Sequence, residues 1–222
     1  MRRAITGFHR DREGHWVAEL ACGHGQLVRH EPPFQERPWV LEDGGRRARL
    51  GVELACMRCA RGEPAVIYHV VPLASLRRAL ARATACETGT AKGGEDALRA
   101  DEAYAPPSLA TEGFVHCAGS RRTALAVARD LFAGCREPVV CLVIQTGRLG
   151  VPVRFEAPAP VPARGKTHLA TATTFPHVYG PVDRRAICGA GILIRRGGRG
   201  PGFAWPERLQ SLEVLLANTG AR

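Results

Sequence analysis

Two short clusters of soft ligands, Cys22-Gly23-His24 and Cys56-Met57-Arg58-Cys59, constrain the start of this chain more than any other feature. A C-x-H knuckle and a C-x-x-C knuckle together supply four donors, which suits a closed tetrahedral zinc site. The chain between them must leave and return to one point, and glycines beside each pair let the backbone fold around a metal. His15–Leu20 alternates apolar and polar residues and predicts a strand that leads straight into the first knuckle. A module spanning residues 1–62 buries little apolar surface by itself. Its core candidates are few: Trp16, Val17, Leu20, Phe34, Trp39, Val40, Leu50 and Leu54. Zinc binding supplies the missing stability in such a module. His30 competes with His24 as the third ligand, and four good ligands leave no open position for catalysis.

Composition narrows the remaining choices. The 222 residues carry 31 basic and 21 acidic groups, a net charge of +10. Lys92 and Lys166 are the only lysines, and the arginines form no dense run with interleaved aromatics, so the charge alone does not select nucleic acid as a partner. The longest apolar run unbroken by glycine, Val139 to Ile144, is far short of the ~20 residues of a membrane helix. The N-terminus MRRAITGFHRDREGHW has no apolar stretch behind its basic residues, so a cytoplasmic location without membrane association is expected. The eight cysteines are then expected to be reduced or metal-bound rather than paired.

Gly62-Glu63-Pro64 marks a boundary, with 63–65 as linker. Beyond it three histidines sit in separate signatures: His69 in IYH, His116 in EGFVHC and His177 in FPHVYGP. Imidazole can donate, accept, bind metal or change charge near neutral pH, so the three suggest one site built from distant segments. Val66–Val71 predicts a buried strand. Leu73, Leu76, Leu80 and Ala83 then recur at helical spacing. Residues 87–103 read as a polar surface insertion. Ser120 is a suitable N-cap for a helix over 121–134, with Leu125, Ala128, Leu131 and Phe132 as its buried face. Arg121 and Arg122 in its first turn oppose the helix dipole, a conflict that a bound phosphate would relieve. Val139–Ile144 predicts a central strand, Val151 to Phe155 a half-buried one, and Ala186–Ile194 the last. Residues 196–203 read as a Gly/Arg linker and 204–218 as a loosely docked helix. The expected fold class is α+β.

The run ITGFH, DREGHWVAEL, CGHGQ, VRH, PPF, RPWV and C-x-x-C resembles the small bacterial family known as domain of unknown function 3565 over residues 1–62. Leu27 stands where that family commonly has histidine, so position 27 is not needed for metal. The resemblance implies a zinc-stabilised recognition or interaction module, with Cys22, His24, Cys56 and Cys59 as ligands. IYH, PSLATEGFVHC, VVCLVI, RFE at 154–156 and FPHVYGP resemble a second bacterial family, domain of unknown function 952, over about 66–194. That family is distantly similar to the ADP-ribosyltransferase fold, including RNA 2'-phosphotransferases. IYHVVPLASLRRAL is similar to its first strand and helix, although Val70 and Val71 replace a glycine and a hydroxyl residue.

This second resemblance implies an ADP-ribosyltransferase-like α+β domain over 66–195 that acts on NAD or a similar nucleotide, with RNA or protein as acceptor. His69 would hold a ribose hydroxyl and the nicotinamide amide, and His116 would face the same cleft. Phe114 or Tyr179 would stack on the nicotinamide, and Arg121 and Arg122 would hold the pyrophosphate. Glu156 would stabilise developing positive charge, and His177 would contact phosphate or move a proton. Two other readings use the same residues: a noncatalytic zinc-containing protein that binds a nucleotide or a partner, and a second metal site built from His69, His116 and His177.

Overall fold

Alternating residues build the N-terminal sheet. β1 (Arg2–Arg10) and β2 (Trp16–Leu20) pair antiparallel, and β3 (Gly25–Leu27) continues from β2. After a short helix α1 (Asp43–Arg47), β4 (Glu53–Ala55) joins the other edge of β1, giving the order β3-β2-β1-β4. α2 (Met57–Ala60) starts at Cys56, whose Sγ accepts the Cys59 backbone N–H. The computed structural model describes residues 1–84, 103–157, 174–197 and 202–220.

The module's core is small: Ile5, Ala18, Leu20, Val28, Val40 and Cys56 are buried, with Trp16, Trp39 and Leu54 packed against them. Two core candidates belong to solvent instead. Phe34 is 88% exposed and Leu50 is 50% exposed, because both fall in turns rather than on the sheet. Val17 takes the face of β2 opposite Ala18 and Leu20, as a two-residue period requires.

The second half contains β5 (Val66–Pro72), α3 (Leu73–Thr84), β6 (Ala103–Tyr104), α4 (Pro107–Glu112), β7 (Val115–His116) and α5 (Arg121–Phe132). β8 (Val139–Gln145), β9 (Val153–Glu156), β10 (Phe175–Val178), β11 (Val182–Asp183) and β12 (Ile187–Ile192) follow. β13 (Ile194–Arg196), β14 (Gly202–Ala204) and α6 (Leu212–Gly220) complete it. The architecture is mixed α and β, with small antiparallel sheets rather than one large one.

β8 is central in the sheet β12-β8-β5, and its apolar run is continuous because both faces are covered. Val140, Leu142 and Ile144 meet Ile67, Leu76, Leu212 and Leu215 on one side. Val139 and Cys141 meet Val70, Ala124 and Ala128 on the other. On β5 the same alternation sends Ile67, His69 and Val71 to the first side.

Four expectations change. Leu131 is 65% exposed; α5 buries Ala124 and Ala128, and Leu125, Val127 and Phe132 pack beside them. The strand expected over 186–194 ends at Ile192, and β13 and β14 form a hairpin that includes parts of the expected 196–203 linker. The last helix begins only at Leu212 and is firmly docked by fully buried Leu212 and Leu215. Of the insertion expected at 87–103, residues 87–102 lie outside the described residues, while Ala103 is buried in β6. No helix among the described residues is long and apolar enough to cross a membrane.

The two halves are clamped together. Arg12 donates through Nε and NH2 to Asp183 Oδ1 at 3.1 and 2.9 Å, and the Gly150 N–H donates to Oδ2 at 2.8 Å. Asp183 is fully buried, so this carboxylate depends on those three donors.

Candidate functional site

The return of β4 to β1 brings the two knuckles together. His24 Nδ1 lies 3.5 Å from each of Cys22, Cys56 and Cys59 Sγ, and Cys22 Sγ lies 3.8 Å from Cys56 Sγ. All four donor atoms lie within 4.8 Å of one another, so the cluster could hold a metal ion. The shared approach of three sulfurs to one ring nitrogen is the arrangement of donors around a common centre, rather than of mutual hydrogen bonds. His30 is placed elsewhere: its Nδ1 accepts the Arg37 backbone N–H at 3.0 Å. Arg3 sits beside Cys59, whose sulfur raises the guanidinium pKa above its ordinary value, so a cation accompanies the three thiols.

A second group forms on one face of the sheet β7-β10-β9. His177 lies opposite His116 on one side and Arg154 on the other. Two-residue steps along the strands add Phe114, Tyr179 and Glu156 to the same face, while Val115, Val153 and Val178 turn to the core. Phe114 is the hub, with ring centroids 4.8 Å from His116, 4.2 Å from His177 and 5.5 Å from Tyr179. His116 and His177 lie edge to face at 5.2 Å.

Each of these imidazoles has its own carboxylate. His177 Nδ1 donates to Glu156 Oε2 at 2.6 Å, and His116 Nε2 donates to Glu112 Oε2 at 2.6 Å. The Tyr179 hydroxyl donates to both Glu156 oxygens at 3.0 and 2.9 Å. The His177 bond, then the Tyr179 bond, hold the Glu156 carboxyl below its ordinary range, so it is ionised at neutral pH. Donation from Nδ1 fixes the neutral His177 tautomer and leaves Nε2 to take a proton. Arg154 stacks over Tyr179 at 4.8 Å and adds a cation at the rim.

His69 has a different task. Its Nδ1–H donates to the His116 carbonyl at 2.7 Å, and its Nε2 accepts from the Tyr104 hydroxyl at 2.9 Å. Both nitrogens are therefore engaged in this structure, and among the described residues the three histidines do not form a group that could hold a metal. Burial pushes the ring down to about 4 and pushes Tyr104 up, so both stay neutral. His69 pins β7 to β5 and positions His116 through its backbone.

A pH dependence follows. The unfolded chain binds a proton at His69 near 6.5, whereas the folded chain resists it until about pH 4. Stability is thus complete above about 6.5 and falls by about 3 kcal/mol as pH drops to about 4. Urea unfolding at about pH 7 and about pH 4.5 checks this. The His69→Gln variant is expected to lose about 2.5 kcal/mol less over that interval than wild type, and an equal loss in both chains contradicts the assignment.

Ser120 caps α5 through its hydroxyl, which accepts the Thr123 N–H at 3.1 Å. The anion expected at that end is not needed to settle the arginines. Arg121 stacks on Trp205 at 4.9 Å and Arg122 is exposed, and among the described residues neither touches the imidazole group. Burial pushes the Cys117 thiol up, as befits a core side chain. Sequence reasoning missed Tyr104 and Arg154 as parts of the site and gave Glu112 no role. Arg154 and Glu112 carried readable signals: RFE alternation puts Arg154 and Glu156 on one face, and Glu112 precedes His116 by four positions.

No curated protein matches this chain. Two crystal structures of Protein CC0527 from Caulobacter crescentus are similar to this chain. One, of a double mutant, is 19% identical, covers 68% of this chain and 98% of that one, and gives a TM-score of 0.41. The other is 20% identical, with the same coverage and TM-score. Residues 6–63 match the family Protein of unknown function (DUF3565), and residues 90–190 match the family Protein of unknown function (DUF952), so the chain carries a segment similar to each in that order.

Proposed function

We propose that this chain is a cytoplasmic transferase acting on NAD, with a zinc-stabilised module fixed to an acid–base site on the face of β7, β10 and β9. The observation that carries it is the Glu156–His177–Tyr179 triad beside Phe114 and His116. In a regular tetrahedron with Zn–S near 2.3 Å and Zn–N near 2.0–2.1 Å, sulfurs lie about 3.8 Å apart and sulfur and nitrogen about 3.5 Å apart. The separations of 3.8 and 3.5 Å are compatible with zinc. Three cysteines and one histidine fill the coordination sphere, so this zinc stabilises and does not catalyse.

On the second site the residues present fit a nucleotide: aromatic rings for stacking, a cation for phosphate, a carboxylate and two imidazoles with nitrogens to spare. NAD would supply the ADP-ribosyl group, with nicotinamide as leaving group. Glu156, ionised by its two donors, faces the positive charge that develops as that bond breaks. His177 Nε2 takes the proton of the attacking hydroxyl or phosphate, and Glu156 at Nδ1 steadies the imidazolium. His116 adds a second, carboxylate-paired imidazole that orients the substrate; nicotinamide leaves as a neutral base and takes no proton. RNA bearing a 2'-phosphate and protein side chains are the two acceptor classes.

Nicotinamide release by the zinc-replete full chain, with cell RNA and protein as acceptors, tests this. Glu156→Gln and His177→Ala are each expected to slow release by about 100-fold or more. Binding of NAD without release, unchanged in these variants, would instead favour a noncatalytic nucleotide-binding protein. The absence of both binding and release removes the NAD reading.

A further inference from the structure

A cavity of about 310 Å³ opens on the N-terminal module, between the end of β1, the start of β2 and the chain over 28–41. None of the four metal ligands lines it. Its wall is rich in donors: Arg10, Trp16, Arg29 and His30 contribute, against one carboxylate, Glu31. His15 also reaches the wall, and its Nδ1 lies 3.3 Å from Glu13 and 3.6 Å from Asp11, on the side of those carboxylates.

Three of these donors have no acceptor. Arg29 Nε and Trp16 Nε1 are both buried without a hydrogen-bond partner. Arg29 makes no ion pair through its side chain among the described residues. His30 Nδ1 accepts the Arg37 N–H, so the proton of the neutral ring sits on Nε2, which points its donor capacity away from that bond. Arg10 stacks on the Trp16 ring at 4.6 Å and donates to the Gly14 carbonyl at 3.0 Å, which holds its guanidinium at the wall, while Arg46 stacks on the same ring at 3.7 Å from outside the cavity and pairs with Asp43. Buried donors are ordinarily paired. Two orphaned nitrogens, one of them on an arginine without an ion pair, belong to side chains that share one concave wall, an arrangement that an acceptor-rich anion completes.

We propose that this cavity binds a phosphate-bearing small molecule. Arg10 and Arg29 meet its charge, and the His30 Nε2–H and Trp16 Nε1–H donate to the remaining oxygens. A carboxylate offers two oxygens and one charge. A phosphate monoester offers three terminal oxygens and close to two charges, which matches two arginines and two neutral donors. The two orphaned nitrogens are closed to water, so entry includes a small side-chain adjustment that uncovers them. The site is separate from the imidazole face and stands whether or not that face consumes NAD.

The test titrates the zinc-replete full chain with inorganic phosphate, and with succinate at matched ionic strength. The indole N–H resonance of Trp16, assigned with Trp16→Phe, and calorimetry are the readouts. Phosphate is expected to shift that resonance saturably, and Arg29→Gln to weaken binding by about tenfold or more while leaving phosphate-free melting unchanged. No saturable shift, or equal affinity in Arg29→Gln, overturns the site. Tighter binding of succinate overturns the choice of phosphate. The wild-type resonance decides the matter even where the variant does not fold.

Discussion

Chelating the metal will unfold the N-terminal module. Only six side chains form its buried core, and one of them, Cys56, belongs to the cluster that could hold a metal. A single core of this size supplies on the order of 3–5 kcal/mol. A structural zinc site supplies apparent binding free energy of about 10–16 kcal/mol near neutral pH, most of which is folding free energy. The balance lies with the metal by a wide margin. Phenanthroline or a stronger chelator is expected to abolish the module's strand signal in circular dichroism, and added zinc to restore it. Cys56→Ser is expected to give the same state without chelator, because it removes a thiolate from the buried centre of the cluster. A chain stripped of metal, by elemental analysis, that melts as before would show that the four side chains pack without needing an ion.

The parts of this molecule legible in its sequence are those governed by short-range rules. The knuckles announced themselves by ligand type and spacing. Ser120 marked the start of α5, and the run from Val139 marked the strand that both core clusters share. The errors come from contacts between distant segments. Gly191 in β12 looks like a weakness in a strand, but a side chain there would meet Pro206 at 2.6 Å. The segment after β14 therefore lies over β12, and the bridge between Ala190 and Gln210 holds it there, so residues expected to be helical before 212 are extended. Leu131 faces water because small Ala124 and Ala128 let α5 approach the sheet on a neighbouring stripe. His69 was recognisable as unusual. Its role was not, because the partner that occupies Nε2, Tyr104, sits on the far side of a long polar insertion.

Gly147→Ala will destabilise the whole chain and weaken its hold on the metal. Gly147 lies in the turn after β8, against the backbone of the first knuckle. A Cβ there would stand 2.4 Å from the Gly23 oxygen, 2.5 Å from the Gly25 nitrogen and 2.7 Å from the His24 carbonyl carbon. These atoms are main chain, so no rotamer change relieves the overlap, and the turn or the knuckle must move. Overpacking of this kind costs about 3 kcal/mol, the upper end of its usual range. With a metal bound, the knuckle could not shift freely, because Cys22 and His24 would have to keep a common centre with Cys56 and Cys59. Displacing it therefore trades docking against metal geometry. By linkage, whatever the substitution takes from metal affinity, bound metal takes from the docking of the turn. Gly134→Ala is the control, since nothing lies within 4 Å of its added carbon. Thermal melts and competition for zinc against a chromophoric chelator measure both effects. Equal melting and equal zinc affinity in the two variants would mean that the knuckle and the turn yield independently. A loss of both in Gly147→Ala alone would make the metal loop part of the joint between the two halves, which is the role its backbone contacts give it.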